Sequence, residues 1–278
     1  MKTAQGIWNE DLIWQARRGL ELGRAFCRCE GHYHSLWGAL RAAGVSTGLK
    51  SEEPLLASLI YPFIRDNARV MIGGSADPGV LCAVGRIYSP SRPRITVIDK
   101  CRAPLELIRE FTAIKGLACR TLNLDLFDLD GSEQWDQIIL HYTPDFMEPK
   151  IHGRLFRTLA RSLASGGTLV CAAMTGTSVA GGYQQDAGSV FFDYSWRTLQ
   201  DSPLADLAPS SEFEQMLQTY AANVGLRRLS LPTSKELRET LSAAGLRTLR
   251  EATTPRKQRS VEGVTLLDSN SIVVASRD

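Results

Sequence analysis

Residues 70–79 read Val70-Met71-Ile72-Gly73-Gly74-Ser75-Ala76-Asp77-Pro78-Gly79, an apolar run that stops on two glycines and two small residues. The β-branched start predicts a short strand. The glycine pair allows the backbone to approach a bound molecule with no Cβ in the way. Asp77 followed by Pro78 offers a cap and a first residue for a helix. Strand, glycine turn and helix in that order are the opening unit of a parallel α/β sheet whose first turn meets a cofactor.

The chain on either side fits that frame. From Arg69 onward short β-rich runs alternate with amphipathic helices, and strands are expected at 70–72, 95–98, 119–124, 137–140, 168–173, 246–250 and 271–275. Pro104 opens a helix that Gly116 closes. Ile151, Leu155, Leu159 and Leu163, spaced by four, mark another over about 149–163 that Gly166-Gly167 would end. Thr233 and Glu236 have capping-box spacing at the start of a third, and Gly245 sits at its end. Before Arg69 the signals are helical only: Asn9 caps a run with acids in its first turn, and Leu55, Leu56, Leu59, Ile60, Phe63 and Ile64 fall on one helical face. The expected fold is therefore α/β: a Rossmann-like doubly wound sheet of seven strands, the last antiparallel, with an N-terminal helical appendage over 1–66. The sheet region, 67–278, carries a long insertion at 174–233 after the fifth strand. That insertion starts Gly/Ser/Thr-rich, passes through VFFDYSW, and contains a helix at SSEFEQMLQTYAANVG. Its length exceeds an ordinary connection, which implies structure or a binding role of its own.

A length of 278 residues is enough for a sizeable core, and a formal charge of +2 gives no electrostatic case for nucleic acid or an anionic membrane as partner. Six cysteines scattered through apolar segments read as reduced thiols rather than a disulfide framework. No apolar leader opens the chain and no window is apolar for long enough to span a bilayer, so a cytoplasmic protein is expected.

In an open α/β sheet a ligand lies where the first strand-helix turns converge. Asp99, at the end of ITVID, stands at the second of those turns, where a carboxylate accepts hydrogen bonds from both hydroxyls of a ribose. A nicotinamide site wants G-x-G-x-x-G, with a pyrophosphate on the helix N-terminus. Here those positions hold Gly73, Ser75 and Pro78, and Asp77 would set a carboxylate against the phosphates. A ligand with a positive centre and no phosphate suits the loop better.

With those blocks in hand, the region from Arg69 to the C-terminus, the insertion apart, resembles a class I S-adenosylmethionine-dependent methyltransferase. RVMIGGSAD is similar to that family's glycine-rich loop, ITVID to its second strand with the ribose acid, and LNLDLFD to its third block. WDQIILHY, LFRTLARSLASGGTLVCAA and LRETLSAAGL with SIVVAS resemble the remaining blocks in order. The resemblance implies that Gly73, Gly74, Ser75 and Asp99 hold the cofactor, that Asp125 bonds the adenine amino group, and that Leu126 flanks the ring. His141 would contact the cofactor or act as base, with Tyr142 as its neighbour near the methyl group. The family's first-strand acid is replaced by Met71, so Asp77 or the Gly73 carbonyl is the candidate partner for the methionine ammonium; Asp77 also reads simply as a helix cap. The block after the fourth strand lacks the Asn/Asp-Pro-Pro-aromatic signature of enzymes acting on nucleic-acid bases. A small-molecule acceptor follows, covered by residues 1–66 and the insertion, with Phe191, Phe192, Tyr194 and Trp196 as pocket lining or as the insertion's own core. Exposed faces of the N-terminal helices could support a homodimer.

Three further signals carry less weight. Cys27, Cys29, His32 and His34 in CRCEGHYH look like ligands, but four tetrahedral ligands from one short loop are hard to arrange, and no metal is expected. TPRKQR, ending at Arg259, reads as a solvated loop, and Gly181-Gly182 before Tyr183 as a hinge or a plain turn. Alternative readings remain: another sulfonium reaction such as aminopropyl transfer, a binding or regulatory protein of the same fold, and a nicotinamide oxidoreductase.

Overall fold

The computed structural model describes residues 11–29, 33–46, 48–180, 187–207, 211–228, 233–254, 257–261 and 264–277. In chain order the elements are α1 (Leu12–Phe26), α2 (Tyr33–Ala42), α3 (Gly48–Ile60), β1 (Arg69–Gly73), α4 (Gly79–Ile87), β2 (Arg94–Asp99), α5 (Arg102–Lys115), β3 (Arg120–Asn123), β4 (Trp135–His141), α6 (Pro149–Ser162), β5 (Leu163–Ala180), α7 (Ala187–Gln200), α8 (Ser211–Arg228), α9 (Ser234–Ala243), β6 (Leu246–Thr253), β7 (Lys257–Val261) and β8 (Val264–Arg277).

The sheet runs β3-β2-β1-β4-β5-β8-β6. β1 to β5 pair in parallel, and β8 inserts antiparallel between β5 and β6. This is the expected doubly wound arrangement of seven strands with the last antiparallel. β7 is an added eighth strand that pairs only with β8.

Alternation along the central strands builds two cores. Val70 and Ile72 of β1 and Val97 of β2 face α3, α4 and α5, where Leu56, Ile60, Leu81, Val84 and Ile108 are buried. Met71 and Ile98 point to the opposite face and meet Ile138 and Leu140, with Leu155, Phe156 and Leu159 of α6 and Leu237 and Leu241 of α9. Of the predicted α3 stripe, Leu56, Leu59 and Ile60 are buried, and Leu55, Phe63 and Ile64 pack against the same core. A third cluster joins the N-terminal helices to the insertion: Ala16, Leu20, Leu36 and Leu40 pack on Phe191, Leu199, Phe213 and Leu217. The two regions that the sequence separates thus share one core and form a helical layer over the sheet. α1 and α2 come so close that a Cβ on Gly23 would lie 2.6 Å from Ser35 Cα.

Local predictions held with some corrections. Gly116 closes α5 in the left-handed conformation, and the Thr233–Glu236 capping box forms in full. Asn9 lies outside the described residues; the cap of α1 is Asp11, whose carboxylate accepts from the Trp14 N–H at 2.9 Å. α6 ends at Ser162, before Gly166-Gly167, because Leu163 already pairs with Trp135 of β4. VFFDYSW lies in α7. The Gly/Ser/Thr-rich start of the insertion expected from residue 174 instead continues β5: residues 177–180 pair with 265–268 beyond a register shift between Met174 and Thr177. Thr and Val are strand formers, and a partner strand satisfies the backbone of the segment. Lys257 to Arg259, read as loop, belong to β7. Gly181, Gly182 and Tyr183 fall outside the described residues. Among the described residues no helix is long and apolar enough to cross a membrane.

Phe156 is fully buried between α6 and the sheet. Phe156→Ala should lower unfolding stability by about 3–5 kcal/mol, with an unchanged m-value in urea. A loss below about 1 kcal/mol would contradict the packing described.

Candidate functional site

Parallel strands order-switch between β1 and β4, and a cavity of about 180 Å³ opens there at their carboxyl ends. One wall is the glycine turn, with Gly74, Ser75, Ala76 and Asp77, followed by Gly79 and Val80 of α4. Another is His141, the last residue of β4, and Tyr142, Asp145 and Phe146 after it, with Met174 of β5 and Asn270 of β8. The roof is helical: Tyr33, Trp37, Leu40 and Arg41 of α2, Glu52 of α3, Phe191 of α7 and Tyr220 of α8.

The glycines of the turn are required by the protein itself. Gly74 has φ +73°, and a Cβ there would sit 2.7 Å from the Thr143 side chain; one on Gly73 would meet Leu140 at 2.7 Å. Thr143 donates to the Gly73 carbonyl at 2.6 Å, tying the β1 turn to the end of β4. Ser75 N–H donates to Asp99 Oδ2 at 3.0 Å and Cys101 N–H to Oδ1 at 2.7 Å. Burial pushes the Asp99 carboxyl up from its ordinary range, against these bonds and a nearby His34. The Asp99 carbonyl accepts from Leu124 N–H at 3.1 Å and Asn123 Nδ2 at 3.0 Å, which joins the ends of β2 and β3.

Gly73, Gly74, Ser75 and Asp99 are thus brought together as expected, although only Gly74 and Ser75 line the cavity. Asp125 follows β3 and caps the next turn, its Oδ1 accepting from Phe127 N–H at 3.0 Å. Leu126 is buried under Gly73. Both groups the sequence offers for an ammonium are engaged: the Gly73 carbonyl by Thr143, and Asp77 by an ion pair with Arg41 and by the Gly79 N–H, at 2.7 Å. The Arg41 pair offsets the charge that the sequence sets against a pyrophosphate. The turn is nonetheless poorly placed to take one, because the helix N–H that would hold phosphate is already capped by Asp77 Oδ1.

The centre of the site is a residue the sequence reading missed. Glu52 is 2% exposed, and its Oε1 accepts from the Tyr142 hydroxyl and from Asn270 Nδ2 at 2.7 Å, while Oε2 lies 3.2 Å from His141 Nε2. Burial works to raise its carboxyl, but the His141, Tyr142 and Asn270 bonds outweigh burial and hold it below the usual range, so it is ionised. Burial, then the Glu52 charge, push the Tyr142 phenol well up, which keeps it a donor. Tyr142 also adopts φ +60°, a strained backbone for a non-glycine residue. Glu53 beside it fixes α3 through a bidentate bond to Arg86 of α4, at 2.7 and 2.6 Å. The detectable signal was an acid on an apolar helical face: Glu52 precedes Leu56, Leu59 and Phe63 at helical spacing.

Of the four insertion aromatics, Phe191 alone reaches the cavity. Phe192 and Trp196 stack on each other at 5.9 Å and, with Tyr194, pack against the helical layer. Tyr33, Trp37, Phe146 and Tyr220 supply the aromatic lining instead. Two buried oxygens at the cavity, Asp145 Oδ1 and Asn270 Oδ1, have no hydrogen-bond partner among the described groups.

No family model and no curated protein sequence matches the chain. Solved structures do. A protein studied in "Conversion of a Disulfide Bond into a Thioacetal Group during Echinomycin Biosynthesis" superposes with TM-score 0.50 at 14% identity, over 80% of this chain and 81% of that one. Magnesium protoporphyrin IX methyltransferase from Synechocystis gives 0.48 at 11%, over 82% of each chain. A TehB-like S-adenosylmethionine-dependent methyltransferase from Corynebacterium glutamicum gives 0.47 at 15%, over 88% and 96%. These likenesses are of fold alone: the chain has a Rossmann-like doubly wound α/β sheet with its last strand antiparallel.

Asp145 is buried in the cavity wall, and burial pushes its carboxyl well above the ordinary range. Its folded pKa exceeds the unfolded value of about 3.9, so folding takes up a proton and stability is lost as pH rises from there toward the folded pKa. The variant Asp145→Asn has no proton to take up. Its Tm relative to the parent protein should therefore increase between pH 4 and pH 8; a pH-independent difference would refute the protonated acid.

Proposed function

We propose that the chain transfers a methyl group from S-adenosylmethionine to a small, largely apolar acceptor held in the roofed cavity. The observation that carries this reading is the Ser75–Asp99 contact at the switch point of the sheet, beside a cavity that ends on a buried Glu52–His141–Tyr142 network. The donor set fits the cofactor: the unpartnered Asn270 carbonyl oxygen suits a cation, and Asp99 keeps lone pairs for ribose hydroxyls. Gly73, Gly74, Ser75, Asp99, Asp125 and Leu126 would hold it, with His141 toward the methyl end. When bound, it supplies a methyl group on a positive sulfur that is already activated for in-line displacement.

The chain's own residues align the acceptor and move a proton. Trp37, Leu40, Val45, Phe191 and Tyr220 present apolar surface and exclude water. Glu52, an acceptor only, takes the Nε2–H of His141, which leaves the Nδ1 lone pair to accept a proton from an acceptor hydroxyl or ammonium. Tyr142 and Asn270 hold Glu52, so the imidazole is oriented by a rigid carboxylate. A binding role without turnover is the second reading, favoured by Met71 in place of an acid and by the engagement of Asp77 and the Gly73 carbonyl.

Isothermal titration with S-adenosylmethionine, S-adenosylhomocysteine and NADH tests the cofactor. Micromolar binding of the first two, lost in Asp99→Ala, is expected; binding of NADH alone would overturn the reading. With an acceptor in hand, His141→Asn should lower kcat by about 10²–10⁴-fold while cofactor affinity stays within a few-fold. Tight cofactor binding with no transfer across a panel of phenols, amines and carboxylic acids would select the binding role.

A further inference from the structure

Outside the cavity, the molecule gathers three of its six cysteines and a histidine at one point. Cys27 is the residue that ends α1, Cys29 lies in the loop after it, and His34 is the second residue of α2. Cys101 comes from the turn between β2 and α5. One ligand atom from each lies within 4.8 Å of all the others, and Cys27 Sγ is 3.5 Å from His34 Nδ1. Four corners of a tetrahedron around zinc, with Zn–S of about 2.3 Å and Zn–N of about 2.0 Å, are separated by about 3.5–3.8 Å. The Cys27–His34 pair already has that separation, and the other ligand atoms lie no more than 4.8 Å from one another.

We propose that Cys27, Cys29, His34 and Cys101 form a structural zinc site. The objection to a site in CRCEGHYH was that one short loop cannot supply four tetrahedral ligands; the fold removes it by bringing Cys101 from the far side of the second strand. Three thiolates and an imidazole are a soft donor set that selects zinc over the hard oxygen-seeking cations. With Cys27, His34 and Cys101 buried and Cys29 at the rim, the set is closed, with no position left for water or substrate, as in structural rather than catalytic sites.

The cluster forms a small packing unit apart from the three large cores, with Phe26 and Ala103 as its apolar company. Cys101 occupies the cap position of α5, where Ser or Asp is more usual. On coordination each of the three thiols loses its proton to solvent, and the resulting complex carries one net negative charge. Arg28, which donates to the Cys27 carbonyl at 3.0 Å, sets a positive charge beside it. The ion would pin the α1–α2 hairpin to the β2–α5 turn, whose Cys101 N–H also orients Asp99.

The test needs no methyl transfer. The full chain, purified without chelator and desalted, should contain about one zinc per chain by elemental analysis. Apoprotein titrated with cobalt(II) chloride should develop a thiolate-to-cobalt charge-transfer band and the intense visible bands of tetrahedral cobalt, saturating at about one equivalent. Cys29→Ala, at the rim where folding is least at risk, should weaken cobalt binding by more than the roughly 10–100-fold that follows loss of a supporting residue. Sub-stoichiometric zinc together with no charge-transfer band would overturn the site. So would unchanged cobalt affinity in Cys29→Ala, or a disulfide among Cys27, Cys29 and Cys101 in protein purified in air, detected by peptide mass mapping.

Discussion

An ionised carboxylate buried to 2% exposure sets the terms for this molecule. Glu52 is tolerable inside only because three side chains from two other elements satisfy it: His141 and Tyr142 at the end of β4 and Asn270 on β8. Those bonds reach from the N-terminal helices to the sheet. They fix how far α3 stands from the strand ends, and so they fix the depth of the cavity. Removing any one partner leaves part of a buried charge unsatisfied, which couples the position of the roof to the protonation state of the site.

Around that centre the helical layer is assembled from both ends of the chain. α1 and α2 lie against α7 and α8 in one apolar cluster, while α3 is held separately, by the sheet core and by the Glu53–Arg86 pair. Arg41 of α2 reaches the glycine turn through Asp77. The glycine turn, the roof and the insertion are therefore packed together, and all three line the cavity.

What could be read from the chain followed from local chemistry. The strand-glycine-helix unit at residues 70–79, the acid ending β2, the capping box at Thr233 and the apolar stripe of α3 each depend on neighbours in sequence, and each was legible. The site's centre was not. Glu52 looks like one acid among the polar residues of a helix until its position on the apolar stripe is noticed. Asn270 gains meaning only through an antiparallel partner distant in sequence. Cys101 is likewise joined to Cys27 by topology alone. The aromatic run of the insertion misled for a related reason: in a helix, residues of one run point in different directions, so Phe191 faces the cavity while Phe192 and Trp196 turn away. The fold was legible through the order of its blocks, and the chemistry of the site resides in contacts between blocks.

The register shift of β5 carries a consequence for how this protein tolerates change. Met174 sits opposite Asn270, and pairing resumes only at Thr177 opposite Asp268. Side chains on a strand alternate between faces, so a slip of one residue would swing the Asn270 carboxamide away from Glu52 to the other side of the sheet. The bulge works as a stop: pairing on the core side is locked by buried residues such as Cys171, Val273 and Val274, and irregularity is absorbed beyond it. The outer ribbon can thus lengthen, shorten or be exchanged without altering which groups face the cavity. The outer ends of β5 and β8 are therefore tolerant of sequence drift, while the groups that face the cavity stay in register.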